Sequence, residues 1–140
     1  QAADHQAQMD KRLRKLTAFN YCDHWADIVD ADDGPGDIAI LTWGSSTGPA
    51  REALRRYAET GGRARLIAVR LLAPAQPARM AAALAGCRRA LVVEQSHSGQ
   101  FHRLLRAFYD LPGEIRHLHQ AGPLPIGPGR ILDQLDAWRA

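Results

Sequence analysis

Cysteine, lysine and long apolar runs are all scarce in this chain. Two cysteines in 140 residues, Cys22 and Cys87, are too few for a disulfide framework and read as small hydrophobes. They form no Cys-x-x-Cys pair, so no zinc or iron–sulfur site is encoded by spacing. No apolar run approaches the roughly 18 residues of a membrane span, and no signal-peptide pattern is present. These absences set the expectation of a reducing, cytoplasmic setting with no membrane partner. All but two of the 18 basic residues are Arg, and the net charge is only +3. The arginines spread along the helical stretches as well as near the start, which argues for solvated faces and against a nucleic-acid partner. There is neither a Gly-x-Gly-x-x-Gly fingerprint nor the Gly-Lys-Ser/Thr of a Walker loop. The chain opens on Gln1 and not on Met, which sets the expectation of a fragment of something longer.

What is present is globular. Hydrophobic content of 46% and charged content of 24% are ordinary, and 140 residues suit one domain with a real core. The organising stretch is IAILTWGSSTGP, residues 38–49. Its β-favouring run breaks into Gly44-Ser45-Ser46-Thr47-Gly48, and Pro49 opens a helix. Strand, tight polar loop and helix would set amides and hydroxyls at the positive end of a helix. The same grammar returns at 90–100, ALVVEQSHSGQ. Two such turns in a small α/β domain converge on one edge of the sheet.

The rest follows that alternation. Residues 1–20 read as a basic helix or linker, with Met9, Leu13 and Leu16 on one face and Lys11, Arg12, Arg14 and Lys15 around them. Residues 21–29 are ambiguous between a turn and a short edge strand. Residues 30–37, DADDGPGD, are an acidic linker. Ala50, Ala53, Leu54, Tyr57 and Ala58 mark the first domain helix, stopped by Gly61-Gly62. A second strand spans 65–72, buried on both faces. Pro77 opens a second helix with Met80 and Leu84 inward. A third strand at 90–94 leads to a helix striped by Phe101, Leu104, Leu105 and Phe108. A short strand at 114–119 and a last helix burying Ile131, Leu135 and Trp138 complete the pattern. The fold class is α/β, three-layer αβα, with a mostly parallel sheet.

No motif alone fixes a function. The 44–48 loop could bind an anion, or Ser and Thr could simply cap the helix. Glu94, Ser96, His97 and Ser98 suggest a Ser–His–acid set, but no strand-Gly-x-Ser-x-Gly-helix elbow accompanies them, and Ser98 reads as an N-cap. His117 and His119 share a strand face and could pair on a metal, although two exposed edge-strand histidines is the simpler reading. Phe19, Tyr21, Trp25 and Trp138 lie outside the periodic pattern. They read either as interface aromatics or, for the two tryptophans, as a cap on the domain's own core.

Four blocks taken together resemble one family: TWGSSTGPAREAL (42–54), RLLAPAQP (70–77), VVEQSHSGQ (92–100) and GPLPIGPG (122–129). They are similar to the C-terminal domain of the α subunit of 2-oxoacid:ferredoxin oxidoreductases, above all the 2-oxoglutarate type. MDKRLRKL (9–16) resembles that family's connector from a preceding pyrimidine-binding domain. The resemblance implies a transketolase C-terminal-like domain over 38–140 behind a connector helix and linker over 1–37. It implies adjacent first and third strands, and an antiparallel edge strand from 21–29. It further implies oxidative decarboxylation of a 2-oxoacid to an acyl-coenzyme A, with electrons passing to ferredoxin. Thiamine diphosphate, Mg and a [4Fe-4S] cluster would belong to the complete complex, with coenzyme A as cosubstrate and none of them held by this chain. The thiamine-binding Gly-Asp-Gly…Asn motif is absent here and belongs to the β subunit. The expected partners are the upstream pyrimidine-binding domain and that β subunit. Assembly and subunit contact are then the expected roles, and the isolated chain would be inactive. The candidate contacts at the switch point are Ser45, Ser46, Thr47, Glu94, His97 and Gln100. Ser96 departs from the family, which often carries Asn there, whereas Glu94, Gly99 and Gln100 match. Two rival readings remain at this level: a stand-alone flavodoxin-like ligand-binding module, and a purely structural interaction domain.

Overall fold

Five strands line up as one sheet in the order β1-β3-β2-β4-β5. They are β1 (Ala26–Asp30), β2 (Ile38–Trp43), β3 (Arg65–Val69), β4 (Arg89–Glu94) and β5 (Glu114–His119). The computed structural model describes residues 2–31 and 34–139. Gln1, Ala140 and the linker residues Asp32 and Asp33 lie outside the described residues. Strands β2 to β5 run parallel, and β1 pairs antiparallel with β3 from Ala26 opposite Val69 to Asp30 opposite Arg65. The five α-helices are α1 (Ala2–Thr17), α2 (Thr47–Glu59), α3 (Pro77–Ala83), α4 (Gln100–Phe108) and α5 (Pro128–Asp136).

Side chains alternate across the central strands, and each face buries its own core. Ile38 and Ile40 of β2, Leu66 of β3, and Leu91 and Val93 of β4 face α2 and α5, whose Ala53, Leu54, Ile131 and Leu135 are buried there. Ala39, Leu41, Ile67, Ala90 and Val92 point the other way, onto Met80 of α3 and Phe101 and Leu105 of α4. Handedness explains the division. From β2 the chain moves outward to β3, then returns across β2 to β4 and continues to β5. A right-handed crossover that reverses direction must place its helix on the opposite face. Hence α2 lies on one side and α3 and α4 on the other.

The ambiguous stretch resolves into a turn of 3-10 helix, Cys22–Trp25, followed by β1. This is the antiparallel edge strand that the resemblance implied. It comes from within residues 1–37, so part of that stretch joins the sheet. Arg65 clamps it, donating to both carboxylate oxygens of Asp30 at 2.6 and 2.9 Å and to the Ala83 carbonyl at 2.9 Å. Trp25 is 3% exposed, so it caps the domain's own core and is not an interface residue. Its carbonyl accepts the N–H groups of Arg70 and Leu71, which turns the chain out of β3 before the expected residue 72. The α4 stripe also ends early. Phe108 is exposed, and Tyr109, whose N–H closes on Leu105, takes the buried place instead. Trp138 is half-buried, with Arg116 stacked 4.5 Å from its ring centre and its indole donating to Glu114. No helix among the described residues is long and apolar enough to cross a membrane.

Leu54 and Phe101 anchor opposite cores, so Leu54→Ala or Phe101→Ala should each cost about 2–5 kcal/mol in equilibrium denaturation. A loss below about 1 kcal/mol would place the residue outside the core. Acrylamide should quench Trp43 readily and leave Trp25 protected, since only Trp43 of the two is exposed.

Candidate functional site

Strands β2 and β4 are neighbours, paired from Ile38 opposite Arg89 to Thr42 opposite Val93. Because the crossovers from this pair run in opposite directions, a topological switch point lies between them, at the carboxyl edge. The loops after β2 and β4 both leave that edge. Thr42 is buried and donates its hydroxyl to the Val93 carbonyl at 2.9 Å, locking the two strands just below the loops.

The first loop is a single turn of 3-10 helix, Gly44–Ser46, that runs directly into α2. Gly44 turns the chain at φ +60°, and the Thr47 N–H donates to the Gly44 carbonyl. No hydroxyl caps α2, contrary to the capping alternative. A side-chain cap needs an extended backbone at the N-cap, and Ser46 is already helical at φ −75°, ψ −9°. Ser45 is exposed, Ser46 buried and Thr47 half-buried. Beside them Trp43 stands exposed at the strand end, its ring 6.2 Å from that of Phe101. Asp27, Trp43, Gly44, Thr47 and Arg70 border an open cleft of about 570 Å³.

The second loop is organised by Glu94. Its side chain is 1% exposed and accepts four hydrogen bonds. The donors are the Ser96 hydroxyl at 2.6 Å, the Phe101 N–H at 2.8 Å, the His102 N–H at 2.9 Å and His117 Nε2 at 2.8 Å. An ionised carboxylate only accepts, so His117 donates through Nε2. Ser96 Oγ in turn accepts from the N–H groups of Gly99 at 3.0 Å and Gln100 at 3.3 Å. The first turn of α4 is therefore capped by Glu94 and Ser96, and not by Ser98 as the sequence suggested. Gly99 stands at the N-cap at φ +66°, where a Cβ would lie 2.6 Å from the His117 ring. Burial alone would push the Glu94 carboxyl up, but the four donors outweigh it and hold it below the ordinary value.

Three imidazoles lie in a row beside the carboxylate, His117 stacked on His119 and tilted against His102. The rings of His102 and His117 are 4.5 Å apart, as are those of His117 and His119. His117 is thus half-buried and bonded, not an exposed edge residue. Burial lowers the His102 pKa, and the neighbouring His117 and Arg106 lower it further. Among the described residues no group of three His, Cys, Asp or Glu could hold a metal ion. Two cysteines cannot supply the four thiolates of an iron–sulfur cluster. A Ser–His–acid nucleophile is also excluded by connectivity. Of the set that the sequence suggested, Ser96 gives its hydroxyl to Glu94 and His97 stands exposed, and among the described residues no hydrogen bond joins a serine hydroxyl to an imidazole. His97 is exposed, and Gln100, also exposed, contributes only its main-chain N–H. Sequence reasoning missed His102 and the partnership of His117 with Glu94. The available signal was parity: His117 and Glu94 fall on the same face of neighbouring strands.

Fold and site together define the class: a doubly wound α/β domain whose switch-point carboxylate is bonded within the fold. Known proteins specify it further. No protein-family model matches the chain. The α subunit of 2-oxoacid:ferredoxin oxidoreductase 2 from Aeropyrum pernix is 37% identical over 75 residues, 54% of this chain and 12% of that protein. A solved 2-oxoglutarate:ferredoxin oxidoreductase from Magnetococcus marinus, with 2-oxoglutarate, coenzyme A and succinyl-CoA bound, superposes with a TM-score of 0.80 at 26% identity. That superposition covers 98% of this chain and 23% of that one. The chain is thus related to the α subunit of 2-oxoacid:ferredoxin oxidoreductases, as its four sequence blocks implied, and spans only a small part of these relatives.

Two outcomes test the Glu94 cluster. Glu94→Gln puts an amide donor among donors and should cost about 2–4 kcal/mol, as should Gly99→Ala, which drives a methyl into His117. Stability should also fall with acid in two stages. His102 binds its proton more weakly when folded, so stability drops as pH falls through about 6.5. The Glu94 contribution is present above the ordinary carboxylate range near about 4.3 and is lost below it. Denaturation across pH 7.5 to 3.5 should show the second stage vanish in Glu94→Gln.

Proposed function

We propose that this chain acts as the C-terminal domain of the α subunit of a 2-oxoacid:ferredoxin oxidoreductase, with 2-oxoglutarate as the substrate of the complex. The observation that carries this reading is the superposition over 98% of the chain on the Magnetococcus enzyme, whose bound 2-oxoglutarate and succinyl-CoA supply the substrate choice. The Aeropyrum relative, matched independently by sequence, supports the same subunit. In this reading the complete complex decarboxylates the 2-oxoacid oxidatively, passes electrons to ferredoxin and releases an acyl-coenzyme A. Thiamine diphosphate with Mg supplies the carbanion chemistry when bound elsewhere in the complex, and a [4Fe-4S] cluster carries the electrons. Among the described residues no group of three His, Cys, Asp or Glu could hold Mg, and two cysteines are too few for the cluster.

The domain's own task is then assembly and subunit contact. Its buried carboxylate stiffens the α4 side of the carboxyl edge. The exposed Trp43, Ser45 and His97 offer that edge to a neighbour, either the pyrimidine-binding domain or the β subunit. A cytoplasmic location belongs to the same proposal.

The purified chain alone should show no 2-oxoacid-dependent dye reduction. The full α subunit combined with its β subunit should reduce the dye with 2-oxoglutarate and coenzyme A. Turnover by the isolated chain, or none by the assembled subunits with any 2-oxoacid, would refute the reading.

A further inference from the structure

Among the described residues, one buried side-chain nitrogen or oxygen has no hydrogen-bond partner: Nε2 of His102. An orphan of this kind is rare in a native fold and marks a strained or working position. His102 stands in the first turn of α4, half-buried against β5. Its main-chain N–H donates to Glu94 at 2.9 Å, and its ring lies 4.5 Å from that of His117, tilted by 57°. The same turn is held by the Phe101 N–H on Glu94 and by the Gly99 and Gln100 N–H groups on Ser96. Every main-chain donor from Gly99 to His102 is therefore engaged at the helix entry, while the imidazole beside them is not.

A neutral imidazole carries one proton and one bare nitrogen. With the proton on Nδ1, the buried Nε2 is the bare one. Charging the ring then means placing a second proton on Nε2, where a charged N–H would find no acceptor. Burial opposes the charge, as do His117 and His119 of β5 and Arg106, one turn further along α4. The positive end of α4 opposes it as well. Only Glu94 favours it, and each Glu94 oxygen already holds two donors. Once the turn opens, His102 meets water and takes its proton near the ordinary value of about 6.5. We propose that His102 is a proton-operated latch, holding the first turn of α4 on β5 while neutral and releasing that turn with residues 95–99 when protonated. Leu105, fully buried one turn on, keeps the rest of the helix seated. Glu94 does not start the release: although burial raises its carboxyl, its four donors hold it below the ordinary value, so it is still ionised where His102 takes its proton. The closed turn therefore keeps its full stability above about pH 6.5 and loses it as the pH falls through that value. The released segment carries His97 at the carboxyl edge, so the latch gives that edge two forms set by pH.

Native-state hydrogen exchange on the full chain tests the latch, at pH 7.5 and 5.5 and over a series of non-denaturing urea concentrations. Each rate is divided by the intrinsic rate at its pH. Amides of residues 99–103 should exchange about three- to tenfold faster at pH 5.5, since uptake of one proton on opening gives at most about tenfold across this window. Their rates should hardly respond to urea, because a local opening exposes little surface, whereas amides of β2 should respond steeply. Nitrogen-15 spectra should show His102 with its proton on Nδ1 at pH 7.5. His102→Phe, which removes the orphan and the titration together, should abolish the rise. Arg106→Gln, which removes one opposing cation, should shrink it, and His97→Asn should leave it intact. Any of four results overturns the proposal: no rise, a proton on Nε2, urea dependence at 99–103 equal to that of β2, or a rise that survives His102→Phe. Should His102→Phe not fold, the tautomer and the urea dependence of the unaltered chain still decide.

Discussion

The carboxyl edge depends on one buried charge. Glu94 ends β4 inside the sheet, where an unpaired carboxylate would cost far more than the fold could spare. Its four donors come from the loop after β4, from two main-chain amides of α4 and from β5. One side chain thereby fixes the entry of α4, the shape of the loop and the position of the neighbouring strand. Gly99 follows from this arrangement, since the space that a Cβ would need is filled by the His117 ring. The α4 N-terminus is consumed in the process: its orphan amides point at Glu94 and Ser96, and so it offers no anion site to a ligand.

That expenditure shapes the functional reading. A carboxylate with free lone pairs at a switch point would invite an acid–base or metal role. Here both carboxylate oxygens are occupied by donors from the fold, Ser96 among them, and His97 stands apart in solvent. What remains exposed at the edge is Trp43 beside one loop and polar side chains on both. The chain matches 23% of the Magnetococcus chain and 12% of the Aeropyrum subunit, so its counterparts are parts of longer polypeptides.

The edge strand shows a second economy. β1 is short and carries Asp27 and Asp30, charges that discourage pairing with stray strands. Asp30 also secures it, because the Arg65 guanidinium hydrogen-bonds its carboxylate and holds its pKa low. Arg65 reaches α3 as well, so a single arginine joins sheet edge and helix layer.

The sequence by itself determined the alternation of strands and helices, the two-faced burial of the central strands and the inward stripe of α2. These depend on local periodicity and on apolar side chains that must leave water. It also carried the family resemblance, because loop residues such as those at 44–48 and 92–100 are set by turn geometry that the local chain encodes. Tertiary structure decided the rest. Whether 21–29 became a strand depended on β3 offering an open edge. Trp25 became core and not interface because β1 docked there. His117 became a partner of Glu94 only once β5 lay beside β4, a pairing of residues 23 apart in the chain. The helix caps passed from Ser98 to Ser96 and Glu94 for the same reason: a cap is chosen by the backbone angles at the helix entry, and those angles follow from how the strand delivers the chain.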